Sequence, residues 1–206
     1  MSFLERNNFL IRKLHSLSGI IPIGLFLLEH LITNSFAMQG AASFDEKIAA
    51  LQSFPYLTLI EIVFIAIPLI FHTVFGLYFV YLARNNVLDY KYFRNWMFYL
   101  QRATALIAFV YVVYHVYTTR IAKAFSGVDI TYQFMHDILT QPLFFAIYLI
   151  GLLAAIFHFS NGLWTLFISW GITIGPKSQK VFQIVCIILF VILSAVGTAG
   201  LIALAA

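Results

Sequence analysis

Apolar residues run along this chain in five long stretches separated by short polar ones, with no period-two alternation of the kind a half-buried strand shows. The first stretch runs over 14–34. The second, over 56–82, opens behind Pro55 because proline is tolerated in a first helical turn. The third and fourth run over 96–118 and 142–170, the fourth opening on Pro142, and the fifth over 178–204. Each reaches the roughly 20 residues that an α-helix needs to cross a bilayer. The pattern predicts an all-α integral membrane protein, one transmembrane domain over 1–206, built as a bundle of five helices. Pro68 inside the second stretch is expected to bend it. The segment up to Ser53, with Asp45, Glu46 and Lys47, reads as a loop or a short surface helix, and 119–141 as a polar loop. The first stretch is too long for a signal-peptide core and contains Glu29 and His30, so it reads as a span.

Composition agrees: 62% of the 206 residues are hydrophobic and only 10% charged, and the mean hydropathy is +0.94. Five crossings leave little chain for a soluble catalytic domain, so chemistry on a water-soluble substrate is expected on another subunit. The formal charge of +4, divided among loops, does not suggest nucleic acid. It orients the helices instead. Arg6, Arg12 and Lys13, then Arg84, Lys91 and Arg94, then Lys177 and Lys180 fall on one side, which the positive-inside rule makes cytoplasmic. The N-terminus is expected inside and the C-terminus outside. The single cysteine, Cys186, excludes an internal disulfide and reads as helix packing.

Histidines carry the candidate chemistry. Phe71-His72-Thr73-Val74-Phe75-Gly76-Leu77-Tyr78 and Phe157-His158-Phe159-Ser160-Asn161-Gly162-Leu163-Trp164 are two copies of one phrase, placing each imidazole one helical turn from a residue without a side chain. A flat ligand against Gly76 and Gly162 is the natural reading, and an imidazole inside a span needs a partner. Topology turns position into depth at about 1.5 Å per residue. His72 and His158 come seventeen and sixteen residues after the prolines that open their spans, so they share an inner level. His30 and His115 share an outer one, about 16 Å away. Two bis-histidine sites of this kind suit two electron-transferring b-type hemes, since no Cys-x-x-Cys-His is present for covalent attachment.

His15 repeats the His-x-x-x-Gly spacing with Gly19, but it is expected at the headgroup level with no histidine opposite, as a propionate or subunit contact. Arg12, Arg84 and Arg102 are further candidates for inner propionates, and Arg120, Asn34 and Ser35 for outer ones. Glu29 and Glu61, carboxylates within apolar runs near the outer level, are candidates to exchange protons with a quinone; Glu61 also suits a helix N-terminus. His136, beside Asp137 in the outer loop, reads as solvated.

Arg12-Lys13-Leu14-His15-Ser16-Leu17-Ser18-Gly19, Phe71-His72 with Gly76, Arg94-Asn95-Trp96 with Leu100-Gln101-Arg102, and Ile156 to Trp164 together resemble the cytochrome b558 family, the single-chain di-heme anchors of succinate:menaquinone oxidoreductase of Gram-positive type. The resemblance covers essentially the whole chain. It implies a non-catalytic electron-transfer subunit of succinate dehydrogenase, docked on its cytoplasmic face to a flavoprotein and an iron-sulfur subunit. It also implies that electrons cross two b hemes to menaquinone near the outer surface. Axial ligands carried over from the family fall on His72 with His158 and on His30 with His115. Glu29 beside His30, and His136, are not features of the family. Alternative readings are a fumarate reductase anchor working in reverse, the membrane cytochrome b of a hydrogenase or formate dehydrogenase, and, in a different class, a proton-coupled transporter with a histidine and glutamate relay.

Overall fold

The computed structural model describes residues 3–206, with side chains from Asn7 onward, so Arg6 of the charge count lies outside the described side chains. Among the described residues there is no strand, and five helical segments are long and apolar enough to span a membrane: Asn7–Gln39, Leu57–Leu82, Phe93–Ser126, Pro142–Ser169 and Pro176–Ala205. The five expected stretches are all there. Two begin or end well outside the expected limits.

The first span is two helices, α1 (Phe3–Ile20) and α2 (Pro22–Ser35), closed by a 3-10 turn over Phe36–Gln39. They meet at Pro22, which has no N–H to donate back to Ser18 and therefore interrupts the helical ladder. A short helix α3 (Ala41–Gln52) follows, the surface helix the polar segment allowed. The second span begins at Leu57, behind Tyr56 in the left-handed region (φ 58°), rather than on Pro55 itself. It consists of α4 (Leu57–Glu61), a π-turn over Ile62–Ala66 and α5 (Ile67–Leu82). The widened turn directly precedes Pro68 and absorbs the missing hydrogen bond that was expected to bend this helix.

The third span is α6 (Phe93–Val116), a second π-turn over Tyr117–Ile121 and α7 (Ala122–Ser126). It runs 34 residues, so the stretch read as a loop after Thr118 is mostly helix. At about 1.5 Å per residue it exceeds the roughly 30 Å hydrocarbon core, and its polar end projects beyond it. Helix α8 (Tyr132–Leu139) then leads to α9 (Pro142–Ser169) and α10 (Pro176–Ala205), both with proline in the first turn. Helix α9 is the most buried span and packs on α1, α6, α8 and α10. Cys186 of α10 is buried and unpaired, in keeping with packing.

At the end of the bundle away from the N-terminus, Ala37, Phe44, Met135, Leu139, Tyr148, Leu201 and Leu204 form one apolar cluster that ties α3 and α8 to the spans. There the structure corrects the reading of His136. Its Nδ1 donates to the carbonyl of Leu204 (3.0 Å), while the Tyr132 hydroxyl donates to that of Ala203 (2.7 Å). Both close the last turn of α10, whose terminal carbonyls lack helical partners. His136 is thus a helix cap rather than a solvated side chain.

Candidate functional site

The four spans that carry histidines bring them together as two pairs. His72 on α5 faces His158 on α9 with ring centroids 6.0 Å apart and planes at 85°. His30 on α2 faces His115 on α6 at 5.8 Å and 71°. The first pair lies in the half of the bundle that holds α1, the second towards the opposite end.

In the first pair each ring is tethered through Nδ1 to a main-chain oxygen of a neighbouring helix. His72 donates to the carbonyl of His15 (2.9 Å), with the Ser18 hydroxyl 3.4 Å away. His158 donates to the carbonyl of Gln101 (3.0 Å). A carbonyl can only accept, so Nδ1 carries the proton in both rings and Nε2 is left with a lone pair to offer a metal.

Contrary to the expectation from depth, His15 is not alone at the headgroup level. Its ring stacks on that of His72 (4.1 Å, 16°), so the first site contains three imidazoles. The error came from the assumed start of the span: the helix begins at Phe3 and the apolar span at Asn7, which puts His15 about two turns inside the span. The two His-x-x-x-Gly phrases of α1 and α5 interlock. His15 lies over Gly76, where an added Cβ would stand 3.2 Å from its Cε1, and His72 lies so close to Gly19 that a Cβ there would collide with Cε1. Gly76 is therefore covered by a neighbouring imidazole. Gly162 faces the Gln101 amide, whose nitrogen would be 3.3 Å from a Cβ.

The second pair is held by aromatic packing. Tyr111 stacks on His115 (5.6 Å, 25°), Tyr148 meets it edge-on (5.6 Å, 82°) with its hydroxyl 3.5 Å from Nδ1, and Phe26 tilts over His30 (5.4 Å). Gly151 of α9 makes room for Tyr111, whose ring occupies the place of a Cβ. The second π-turn begins two residues after His115, and the hydroxyls of Thr119 (2.6 Å) and Thr118 (3.3 Å) donate to the His115 carbonyl.

The charged candidates are placed unequally. Arg120, inside that π-turn, donates through Nε (2.8 Å) and Nη2 (2.5 Å) to Glu61, the residue just before the other π-turn, and through Nη2 to Thr58 (3.3 Å). Glu29 points out of the bundle and accepts from Thr33 (2.7 Å), so it does not join the second pair. Arg12 bonds Asn8 (2.7 Å) and lies over the ring of Phe79 (4.3 Å). Arg102 bonds Asn85, lies over Phe98 (3.6 Å) and leaves a buried Nη1 without a partner; His15 leaves its Nδ1 likewise. Arg84 is exposed at the end of α5. Asn34 and Ser35 donate to carbonyls of their own helix, those of His30 (2.7 Å) and Ile32 (2.6 Å). Gln101 and Asn161 stand in the sequence motifs without an assigned role, although a Gln and an Asn inside apolar spans are signal enough, and Tyr111 and Tyr148 carry no sequence signal of their own.

A model of the succinate dehydrogenase/fumarate reductase transmembrane subunit family matches residues 83–197. The chain is also 46% identical over 189 residues, 92% of its length and 93% of the other's, to the succinate dehydrogenase cytochrome b558 subunit of Bacillus subtilis (strain 168). This chain belongs to that family. It is a multi-pass protein of the cell membrane and a membrane subunit of an oxidoreductase complex of the succinate dehydrogenase type. Family membership leaves no place for the hydrogenase, formate dehydrogenase and transporter readings.

Proposed function

We propose that this family member is the heme-bearing, non-catalytic electron-transfer anchor of a succinate:menaquinone oxidoreductase, with succinate oxidised on a flavoprotein subunit and electrons delivered by an iron-sulfur subunit. The observation that carries the reading is that four imidazoles on four spans meet as two couples. Heme b, when bound, supplies reversible one-electron exchange, and two such groups would join the cytoplasmic partners to quinone at the outer face. Fumarate reduction is the same path reversed.

Two features support a fit to heme. Imidazole nitrogens bind a metal at about 2 Å and lie roughly 1 Å from their ring centre, so two rings on opposite sides of one ion need centroids about 6 Å apart. Both pairs have that spacing. No group of three or more His, Cys, Asp or Glu suited to a bare ion was found among the described residues, so each pair would supply two ligands and a macrocycle the rest. His72 and His158 would hold the inner group and His30 and His115 the outer. The unpartnered nitrogens of His15 and Arg102 are suited to carboxylates of the inner group, with Arg12 and Arg84 nearby on the same side. Gly76 and Gly162 act in this reading by admitting His15 and Gln101.

A cavity of about 570 Å³ lined by Tyr114, Tyr117, Thr118, Phe125, Phe134 and Ile138 lies along the same stretch of helix that carries His115 and suits a quinone ring. Quinone reduction takes up two protons with two electrons. Glu61, held by Arg120 at the same end of the bundle, would pass a proton, with Arg120 positioning its carboxylate. Glu29, turned outward, is left the lesser role of a carboxylate near the quinone's lateral approach. The N-terminus is assigned to the cytoplasm on the Lys and Arg count, and the C-terminus to the outside.

Redox titration of the purified complex, with each of the four histidines replaced singly by alanine, tests the reading. His72→Ala and His158→Ala should remove the same low-spin spectral component, and His30→Ala and His115→Ala the other. If His72→Ala and His115→Ala removed one shared component, the pairing would be wrong.

A further inference from the structure

Gln101 is a polar side chain within the third span, and its side-chain amide and main-chain carbonyl both reach α9, the carbonyl also accepting from the Thr104 hydroxyl of its own helix (3.3 Å). Its carbonyl accepts from His158 Nδ1 (3.0 Å), and its side-chain Nε2 donates to the His158 carbonyl (3.0 Å) and lies 3.2 Å from Nδ1 of the same ring. Its Oε1 accepts from Asn161 Nδ2 (2.7 Å), which also reaches the Met97 carbonyl (3.3 Å). Asn161 is buried. It can donate but not accept through Nδ2, so it fixes which end of the Gln101 amide is oxygen and keeps the amide N–H groups toward His158. Gly162 leaves the space that the amide fills.

One residue therefore holds His158 twice, its main chain through the ring Nδ1 and its side chain through the His158 carbonyl, which sets the amide nitrogen 3.2 Å from the ring. The other ring of the first pair has no counterpart: His72 is met by a carbonyl and a hydroxyl, with no amide. An amide N–H is the positive end of a dipole. Set beside the ring edge, it withdraws electron density from the imidazole and favours the reduced state of a metal that the ring holds. The carbonyl bond on Nδ1 acts in the opposite sense, and the two together fix the plane of the ring.

We propose that Gln101 is the positioning residue of the inner site, locking the plane of His158 and raising the potential of the iron bound to it, with Asn161 setting the orientation of its amide. The proposal rests on the reading of His158 as an axial ligand. Replacing the amide by a thioether of similar length (Gln101→Met) removes the N–H groups and loosens the hold on the ring, while the main-chain carbonyl stays on Nδ1. Gln101→Glu keeps the shape, loses the donors and adds an acceptor for Nδ1, which makes the imidazole a stronger electron donor.

The test uses the assembled complex, titrated in its visible bands and examined by electron paramagnetic resonance of ferric iron. In both variants the component lost in His158→Ala should titrate at a lower potential, further in Gln101→Glu, and in Gln101→Met its resonance should broaden as ring planes multiply. The other component should keep its potential and line shape. Either variant assembling with both components unchanged would overturn the proposal, as would failure of both to assemble, which would make Gln101 purely structural. If His158→Ala itself retained both components, the ligand reading would fall, an outcome separate from any result at Gln101.

Discussion

Gly19→Ala should empty the inner site while sparing the outer one. An ideal Cβ on Gly19 would overlap His72 Cε1 and stand 2.9 Å from Nδ1 and 3.3 Å from Nε2. Ordinary carbon contacts lie at about 3.5–4.0 Å, so the ring must retreat by about 1 Å. That retreat carries the 2.9 Å bond from His72 to the His15 carbonyl beyond hydrogen-bonding range. Overpacking of this kind costs about 1–3 kcal/mol, and the lost hydrogen bond about 0.5–1.5 kcal/mol. The sum, about 1.5–4.5 kcal/mol, corresponds to a loss of occupancy on the order of 10- to 1000-fold at about 1.4 kcal/mol per decade. Gly76→Ala is the graded comparison: its Cβ would stand 3.2 Å from His15 Cε1, a contact that His15 relieves by a few tenths of an ångström, so most of the inner component should survive. The assay is heme content by difference spectra of purified complex, resolved into two components by redox titration. Equal and severe loss in both variants would mean that a flat ligand, not His15, occupies the notch at Gly76. An unchanged inner component in Gly19→Ala would refute the geometry of the first site.

Two further outcomes are expected. Tyr132→Phe and His136→Ala should each lower thermal stability by about 0.5–1.5 kcal/mol, the net worth of one hydrogen bond to the last turn of α10; denaturation of the solubilised protein at the wild-type temperature in both would refute the capping role. Glu61→Gln should slow electron delivery to a menaquinone analogue by about 10²–10⁴-fold, the usual contribution of a positioned proton-transfer group, with both spectral components still reduced by succinate. Wild-type turnover would remove Glu61 from proton transfer.

The five crossings were legible because bilayer thickness dictates the length of an apolar run, and the rise of a helix then converts sequence position into depth. That logic anticipated the meetings of His72 with His158 and of His30 with His115. It failed for His15 because Arg12 and Lys13 were taken to mark the membrane edge. In the structure both lie along the outside of the bundle: Arg12 is exposed over Phe79, and Lys13 reaches the carbonyl of Ser169, the last residue of α9. Long cationic side chains reach along an apolar surface, and a span can begin on their N-terminal side. His136 was misread for a different reason. Its partner is a carbonyl 68 residues away, and Asp137 beside it suggested water where the fold supplies a helix end. The two π-turns, over Ile62–Ala66 and Tyr117–Ile121, have no distinctive composition beyond the nearby Pro68, yet the first directly follows Glu61 and the second contains its partner Arg120.

The first site is assembled from two helix pairs, each carrying its own restraint. Helix α1 grips α5 by the exchange of His15 over Gly76 and His72 over Gly19, with the His15 carbonyl on His72 Nδ1. Helix α6 grips α9 through both ends of Gln101. Each ring is thus oriented by the partner within its own pair, and the two rings meet only across the seam between the pairs, at 6.0 Å. The halves are tied where α1 packs on α9, whereas α5 makes its closest packing with α1 and α9 with α6 and α10, so a ligand bound across the seam would add a direct link between α5 and α9. The second site has no such double grip. His115 is oriented by aromatic faces and a phenol at 3.5 Å, which set the ring less narrowly than a main-chain carbonyl at 3.0 Å. On this arrangement, substitutions that loosen one helix pair should shift the first site alone, and the softer second site should respond most to changes in Tyr111 and Tyr148.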